Sequence, residues 1–279
     1  MPEIVNEEMA AAWDGPQGDE WVAREDAMNA SLSAHTEQLL TAAGVGRDDN
    51  VLDIGCGTGE TTRACAQTAV DGRVLGVDLS TAMLERARVR AADAELTNVD
   101  FERGDAQVYP FAPGHFDLVV SRFGVMFFAD PLAAFANIRR GLKEDGRLAC
   151  VAWQELSRNE WVTVPRRALA MGRALPLPPS GAPGPFGLAD PDRARGVLEA
   201  AGFRDVVLDD VAVPFSFGAD AERAFDHAQG VGILKGALDD LDDAARARAL
   251  DALHEVMRAR DAGKGVTFDS RIWVISAVR

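Results

Sequence analysis

The fold of this 279-residue chain is decided by the stretch Val51-Leu52-Asp53-Ile54-Gly55-Cys56-Gly57-Thr58-Gly59. Its first half is typical of a buried strand, its second half of a glycine loop, and the pattern of residues 60–70 predicts a helix directly afterwards. Glycines let a ligand approach the backbone, and the start of a helix presents unpaired N–H groups. The stretch therefore predicts a ligand-binding turn between a strand and a helix.

The alternation of strand and helix continues along the chain. Helices are predicted at 81–94 after a Ser80 N-cap, after Asp130-Pro131 and after Asp190-Pro191, and later at 219–230 and 243–260. Short apolar runs predict further strands at 74–78, 99–102, 116–120, 148–153, 206–213 and 266–278. Such alternation indicates an α/β fold with a doubly wound, mostly parallel sheet, whose ligands bind at the carboxyl ends of the strands.

We predict a single domain over residues 1–279. Its parts are a helical cap at 1–48, a cofactor-binding core at 49–155, a lid or crossing loop at 156–190, and a C-terminal part at 191–279 that completes the sheet and carries a helical insertion. Five prolines and three glycines in 174–188 argue against regular structure there. A lid after strand 5 and a plain linker are both compatible with this stretch.

Composition excludes several classes of protein. The net charge of −15, without a concentrated basic patch, disfavours a nucleic-acid partner. No apolar run approaches the roughly 20 residues that a membrane-spanning helix needs, and the acidic first residues do not resemble a secretory signal, so we expect a cytoplasmic protein. Three cysteines without CxxC spacing, and no close carboxylate cluster, predict neither a disulfide framework nor a metal site.

Charges near the loop favour one cofactor. Asp53 precedes the first glycine by two residues, where its carboxylate would repel a pyrophosphate but attract the ammonium and sulfonium of S-adenosylmethionine (AdoMet). The glycines follow G-x-G-x-G rather than the dinucleotide pattern G-x-G-x-x-G, which argues against an NAD-dependent oxidoreductase. Asp78 ends the second strand, where an acid can bind ribose hydroxyls, and Asp105 after the third strand can bind an adenine amino group.

The chain resembles the class I AdoMet-dependent methyltransferases of the ubiquinone/menaquinone-biosynthesis-like group. The resemblance spans residues 48–155 and rests on VLDIGCGTG, VLGVDLS, GDAQ, FDLVVSRFGVMFF and GLKEDGRLACVAW, in family order and spacing. It implies a Rossmann-like sheet of seven strands in the order 3-2-1-4-5-7-6, with strand 7 antiparallel. It also implies an enzyme that binds AdoMet across strands 1 to 4 and releases S-adenosylhomocysteine (AdoHcy).

The resemblance assigns cofactor-binding residues by position in these motifs. At the methionine moiety it places Asp53, Gly55, Gly57 and Gly59, and at the ribose it places Asp78 and Leu79. At the adenine it places Asp105, Ala106 and Gln107, and near the methyl group it places Ser121 and Arg122. Further residues expected to line this site are Cys56, Thr58, Thr62, Met83 and Gly104. Trp13 and Trp21 are candidates to cover the cofactor, with ordinary packing as the alternative.

Catalysis needs positioning more than a base, because methyl transfer is an in-line displacement from a good leaving group. A base is needed only for an acceptor that must lose a proton. Topology leaves His35 in the cap and His227 after strand 6 as candidates, since His115 precedes strand 4 and His254 lies within a long helix. For both candidates, an incidental histidine is the alternative.

An apolar or aromatic acceptor is expected from side chains near the predicted site. They are Phe123, Met126 and Phe127 after strand 4, Phe186 in the Pro/Gly stretch, and Phe215 and Phe217 after strand 6, with packing under the lid as the alternative. We therefore predict methylation of O, N or C of a small metabolite, such as a quinone-like or secondary-metabolite acceptor, by a monomer or homodimer. The alternatives are a protein or peptide methyltransferase and a non-catalytic AdoMet-binding module.

Overall fold

A single seven-stranded sheet organises the computed structural model, which describes residues 3–176, 179 and 181–279. Its order is β3-β2-β1-β4-β5-β7-β6. The strands are β1 Val51–Ile54, β2 Val74–Asp78, β3 Val99–Arg103, β4 Phe116–Arg122, β5 Leu142–Trp153, β6 Arg204–Gly218 and β7 Val266–Val278. Strands β1 to β5 pair in parallel, whereas β7 runs antiparallel to both of its neighbours. The predicted order and orientation are confirmed.

Helices connect and cover the strands. Three precede β1: α1 Glu7–Trp13, α2 Pro16–Ala23 and α3 Glu25–Ala43. The others in the described residues are α4 Glu60–Thr68, α5 Thr81–Asp93, α6 Pro131–Gly141, α7 Glu160–Ala170, α8 Pro191–Ala200, α9 Ala221–Gly230, α10 Gly232–Lys235 and α11 Asp243–Arg260. As predicted, Ser80, Asp130 and Asp190 cap helices, each accepting a backbone N–H with its side-chain oxygen.

The hydrophobic core lies on both faces of the sheet. Every residue of β1 is buried, as expected for a central parallel strand covered on both sides. Leu39 of α3 and Phe135 of α6 are fully buried in the core, and α3 packs against β4, β5, β6 and β7. Because α3 crosses these strands, it brings the cap to the carboxyl ends of the parallel strands.

Several predicted boundaries differ from the structure, among them the start of β5, which is at Leu142 rather than at residue 148. β6 extends to Gly218, since its pairing with β7 continues to Val266, so Phe215 and Phe217 lie within this strand rather than after it. The segment 156–190, predicted as a lid or crossing loop, contains helix α7, whose Trp161 is buried and which packs against α11 and β7. An amphipathic pattern there forms a helix because its apolar face finds a partner.

The Pro/Gly stretch at 174–188 has no helix or strand in its described residues. Residues 177, 178 and 180 lie outside the described part of the chain. Across the described residues, no helix combines the length and apolar character needed to cross a membrane.

Candidate functional site

The glycine loop after β1 adopts backbone conformations that are unfavourable for residues with a side chain. Gly55, Gly57 and Gly59 have φ angles of 67°, 54° and 76°. A Cβ at Gly55 would lie 2.8 Å from the Cα of Gly124, in the loop after β4. The two loops therefore touch backbone to backbone, and glycine is required where they meet.

Asp53 lies beneath this loop with one oxygen unused. Its carboxyl is 1% exposed, and its Oδ2 accepts a hydrogen bond from Thr62 Oγ1 at 2.7 Å. Its Oδ1 is buried and has no hydrogen-bond partner among the described residues, and the same holds for Thr58 Oγ1. Burial raises the pKa of Asp53 to about 7, against the opposing effects of Thr62 and Arg122. An unpaired buried carboxylate oxygen fits an ammonium or sulfonium group placed on the loop.

Asp78, at the end of β2, holds the loop in place. Its Oδ2 accepts a hydrogen bond from the backbone N–H of Gly57 at 2.8 Å, and its Oδ1 accepts one from Ser80 at 2.9 Å. Burial raises its pKa, while these amides act in the opposite direction. The sulfur of Met83 lies 3.6 Å from the position of a Cβ at Gly57, and the carbonyl of Leu79 accepts from Arg103. These residues form one contiguous surface at the carboxyl ends of β1 and β2.

Asp105 after β3 is engaged by the N-terminal segment of the chain. Its Oδ2 accepts hydrogen bonds from the backbone N–H groups of Val5 and Asn6, at 3.0 and 2.8 Å, while its Oδ1 accepts one from Gln107. Asn6 also donates to the carbonyl of Phe127. The carboxylate predicted to bind adenine thus also holds the cap, which its sequence position did not indicate.

Replacing Asp105 with alanine should loosen the N-terminal segment. Loss of the acceptor leaves the amides of Val5 and Asn6 without their partner, so we expect their hydrogen exchange to accelerate at least tenfold, about 1.4 kcal/mol of local stability. Amide exchange measured by mass spectrometry or NMR tests this. Unchanged exchange at residues 5 and 6 would show that the contact does not hold the cap.

The other residues predicted at the adenine lie close to Asp105. Gln107 Oε1 accepts a hydrogen bond from the N–H of Asp130 at 2.6 Å, and the carbonyl of Ala106 accepts one from Asn137. Gly104 is covered by the ring of Tyr109, which a Cβ at Gly104 would strike. The segment after β3 is therefore fixed to α6.

The cap tryptophans pack at the same edge of the sheet. Trp13 meets Phe127 edge to face at 5.2 Å between ring centroids, and Trp21 lies 6.1 Å from Trp13. Asp14, next to Trp13, accepts hydrogen bonds from the N–H of Thr81 and from Arg103. The cap is thus docked on the start of α5, on β3 and on the loop after β4, where it can cover a ligand.

The two residues at the end of β4 bind neighbouring elements. Ser121 is fully buried, and its Oγ donates to the carbonyl of Ile54 at 2.7 Å. Arg122 donates to Thr36 at 2.9 Å and to Glu60 at 3.0 Å, and its other terminal nitrogen donates to Asn29. Arg122 therefore fastens β4 to α3 and α4, and its charge acts on Asp53.

His35 of α3 is buried beside the residue that follows β4. Its ring lies 5.6 Å from Phe123 and 5.0 Å from Trp153. Its Nε2 is 2.9 Å from the Oγ of Ser270, whose own hydrogen goes to the carbonyl of Val213 at 2.5 Å. The serine oxygen must therefore accept, which places the proton on Nε2 and leaves Nδ1 as an acceptor. Nδ1 is buried and has no partner among the described residues.

Both candidate histidines are neutral at physiological pH. Burial, with Arg122, lowers the pKa of His35 to about 3. Burial, with Arg24, lowers the pKa of His227 to about 4. His227 lies in α9, and its ring is 5.7 Å from that of Phe217 near the end of β6. The imidazole rings of His35 and His227 do not contact each other, although both lie beside the ring of Phe215.

Three of the predicted acceptor residues, Phe123, Phe215 and Phe217, form part of a larger aromatic cluster. Phe123, at a φ of 63°, stacks on Trp153 at 4.2 Å, and Phe215 stacks on Trp161 at 4.5 Å. A positive φ on a bulky residue is strained, as often found at functional sites. Neither tryptophan is among the residues predicted for the site, although the position of Trp153 at the end of the predicted strand 5 is a usable signal.

The remaining predicted residues are placed around this cluster. Met126 is buried, with its sulfur 3.3 Å from the N–H of Trp153, while Phe186 is half-buried in the same core. Cys56 is buried near the loop, and burial raises the pKa of its thiol. Over the described ranges, no group of three histidine, cysteine or carboxylate side chains is positioned to hold a metal ion.

Comparison with known proteins identifies the core. Residues 51–146 match the family model described as a methyltransferase domain. The chain carries a class I methyltransferase domain. The resemblance inferred from VLDIGCGTG and the motifs after it is thereby confirmed, with the fold that it implied.

Relatives and solved structures extend the likeness beyond the domain. A demethylmenaquinone methyltransferase of Lactococcus lactis is 33% identical over 132 residues, covering 45% of this chain and 52% of that protein. The solved structure of the YcgJ protein of Bacillus subtilis is similar, with 20% identity and a TM-score of 0.57 over 90% of this chain and 98% of that one. Haemonchus contortus phosphoethanolamine N-methyltransferase 2 in complex with AdoMet is also similar, with 20% identity and a TM-score of 0.53 over 90% of this chain and 52% of that one. The chain spans 41–52% of the length of the curated relatives it matches.

Proposed function

We propose that this chain transfers a methyl group from AdoMet to O, N or C of a small, apolar or aromatic acceptor. The observation that carries this proposal is the buried Asp53 carboxylate with an unpartnered Oδ1 beneath the methyltransferase loop. The Asp53 carboxylate would repel a pyrophosphate, whereas it would offer Oδ1 as an acceptor to the positively charged end of AdoMet. AdoMet, when bound, supplies a methyl group on a sulfonium.

The residues around the loop would bind and orient this cofactor. Asp53 Oδ1 and Thr58 Oγ1 offer buried polar atoms to the methionine end, and the backbone at Gly55 and Gly57 admits a close approach. Asp78 would bind the ribose hydroxyls. Asp105 would bind the adenine amino group through Oδ1, because Oδ2 accepts the hydrogen bonds from the cap. Trp13 and Trp21, packed over the ends of β2 to β4, would exclude water, which strengthens the electrostatic interactions inside.

The acceptor side would be built from the aromatic cluster beside β4. Phe123 and Met126 begin this wall, and Phe127, Phe186, Phe215 and Phe217 extend it. Nothing polar lies on these side chains, so they favour an apolar or aromatic acceptor. Of the two candidate histidines, His35 lies beside Phe123 and its Nδ1 lone pair is free to accept a hydrogen bond. Its pKa of about 3 makes it a weak base, so positioning rather than proton removal is its expected role.

The structure also bears on the alternatives. A net charge of −15 supports a small-molecule acceptor over a nucleic acid. A protein or peptide acceptor would need an open surface groove at the methyl group, whereas Phe123 and His35 are buried. We further propose a cytoplasmic monomer or homodimer of one domain, which uses no metal. A non-catalytic AdoMet-binding module is the remaining alternative, and turnover excludes it.

Methyl transfer is tested by measuring AdoHcy formation. The purified chain is incubated with AdoMet and a panel of neutral aromatic hydroxy, amino and quinol compounds, with the D53N protein as the negative control. We expect AdoHcy to form with at least one acceptor class, and to form far more slowly with D53N when the AdoMet concentration is below the dissociation constant of that variant. AdoMet binding without AdoHcy formation across the panel would favour the non-catalytic module.

A further inference from the structure

A groove of about 470 Å³ opens between α3, the end of β6 and α9. Its volume is within the range of pockets that hold small organic ligands. Ala27 and Ala30, exposed at its edge, leave the groove open because their side chains are small. The side chain of Phe217, which is 1% exposed, forms the apolar floor of the groove at the end of β6.

A buried histidine and serine form the polar part of the floor. His227 and Ser31 are each 3% exposed. Ser31 Oγ donates to the carbonyl of Ala27 at 2.9 Å and lies 3.5 Å from His227 Nε2. Since the serine hydrogen is already used, its oxygen must accept from Nε2. His227 then keeps Nδ1 as its acceptor, which suits a ligand that donates a hydrogen bond.

The charged residues of the groove already have partners. Asp226 pairs with Arg24 at 2.7 Å, and Glu222 with His254 at 2.9 Å. Arg223 approaches Asp220 at 3.5 Å. A charged ligand would have to break one of these pairs, so the groove favours a neutral molecule.

The groove adjoins the aromatic cluster of the proposed transfer site. Ser31 and His35 lie about one turn apart on α3, roughly 6 Å along its axis. Phe215 contacts both histidines, with its ring 6.3 Å from His35 and 6.4 Å from His227. A ligand in the groove is thus separated from the residue after β4 by the side chains of Phe215 and His35.

We propose that this groove is a second ligand-binding site, and that its ligand is a neutral planar aromatic molecule with a hydroxyl group that donates to His227 Nδ1. This inference goes beyond the proposed methyltransferase function, because the buried side chains of Phe215 and His35 stand between the groove and the proposed transfer site. It adds a ligand-binding residue, His227, and a binding surface outside the motifs of the cofactor-binding core.

Three naphthalene probes test the proposed ligand chemistry. They are 2-naphthol, 2-methoxynaphthalene without the donor, and negatively charged 2-naphthoate. Their dissociation constants are measured by saturation-transfer NMR on the full chain with saturating AdoHcy. We expect 2-naphthol to bind at least tenfold more tightly than either analogue. Equal binding of the three probes would overturn the assigned chemistry.

Variants locate the site and separate this inference from the proposed function. A30W fills the groove and should weaken 2-naphthol binding at least tenfold, whereas A42W, exposed on the same helix but outside the groove, should leave it unchanged. H227F, which keeps a ring but has no hydrogen-bond acceptor, should remove the preference for 2-naphthol over its methyl ether. Unaltered 2-naphthol binding in A30W would overturn the proposed site. AdoMet binding, measured separately, would in that case leave the methyltransferase proposal intact.

Discussion

The D53N substitution is expected to weaken AdoMet binding roughly a hundredfold. Asp53 is buried, and its Oδ1 is held without a partner at the loop. A hydrogen bond between a charged donor and such a carboxylate is worth about 3 kcal/mol at the upper end. Asparagine keeps the size and an acceptor for Thr62 but loses the charge. Isothermal titration calorimetry at pH 8 gives the two dissociation constants.

The raised pKa of Asp53 predicts opposite effects of pH on the stability of the protein and on AdoMet binding. Because the folded pKa of Asp53 is about 7 against an ordinary 3.8, the folded protein retains a proton that the unfolded chain releases. Its contribution therefore makes stability fall as the pH rises from about 4 to 7. AdoMet affinity should change the other way, falling about tenfold per pH unit below 7 as the carboxylate is protonated.

Controls separate charge from damage to the fold. At pH 8, apo D53N should be at least as stable as the wild type, because a buried charge with an unpartnered oxygen is removed. D48N, at an exposed position before β1, should bind AdoMet normally. If D53N bound AdoMet as tightly as the wild type, the role assigned to this carboxylate would be wrong.

The G55A substitution is expected to destabilise the protein by about 2–5 kcal/mol and to abolish AdoMet binding. The φ of 67° costs a residue with a Cβ about 1–2 kcal/mol. The new Cβ would also lie 2.8 Å from the Cα of Gly124, and relieving such overlap typically costs about 1–3 kcal/mol. The loops after β1 and β4 would separate, which displaces Phe123. Urea unfolding measures the loss.

Gly114 provides a matched control for backbone strain alone. It has a φ of 62°, but no atom lies within 4 Å of the position of its Cβ. G114A should therefore cost only about 1–2 kcal/mol and leave AdoMet binding unchanged. Similar losses of stability in G55A and G114A would mean that the contact with Gly124 contributes nothing.

Much of the fold could be predicted because local sequence and global architecture agree. The apolar run at 51–54, the Ser80 cap and the Asp130-Pro131 start each specify one element, and βαβ connections leave few arrangements of such elements. The length of β6 could not be predicted, since its extension depends on pairing with β7, some 50 residues later in the chain. Helix α7 lies in the segment predicted as a lid or crossing loop, and its packing could not be predicted because its partner, α11, comes much later in the chain.

The candidate site was predictable where it consists of motifs and unpredictable where it depends on tertiary contacts. Asp53, Gly55 and Asp78 converge because they end adjacent strands. The contact of Asn6 with Asp105 joins residues 99 positions apart, and no local pattern reports it. The pairing of His35 with Ser270, 235 positions apart, is of the same kind, and it alone determines which nitrogen of His35 accepts.

The most direct measurement is calorimetric titration of the purified chain with AdoMet, AdoHcy and NAD in parallel. The loop spacing and the Asp53 carboxylate predict saturable binding of AdoMet and AdoHcy and no binding heat with NAD. Binding of NAD in place of AdoMet, or of none of the three, would contradict the assignment of this site to AdoMet.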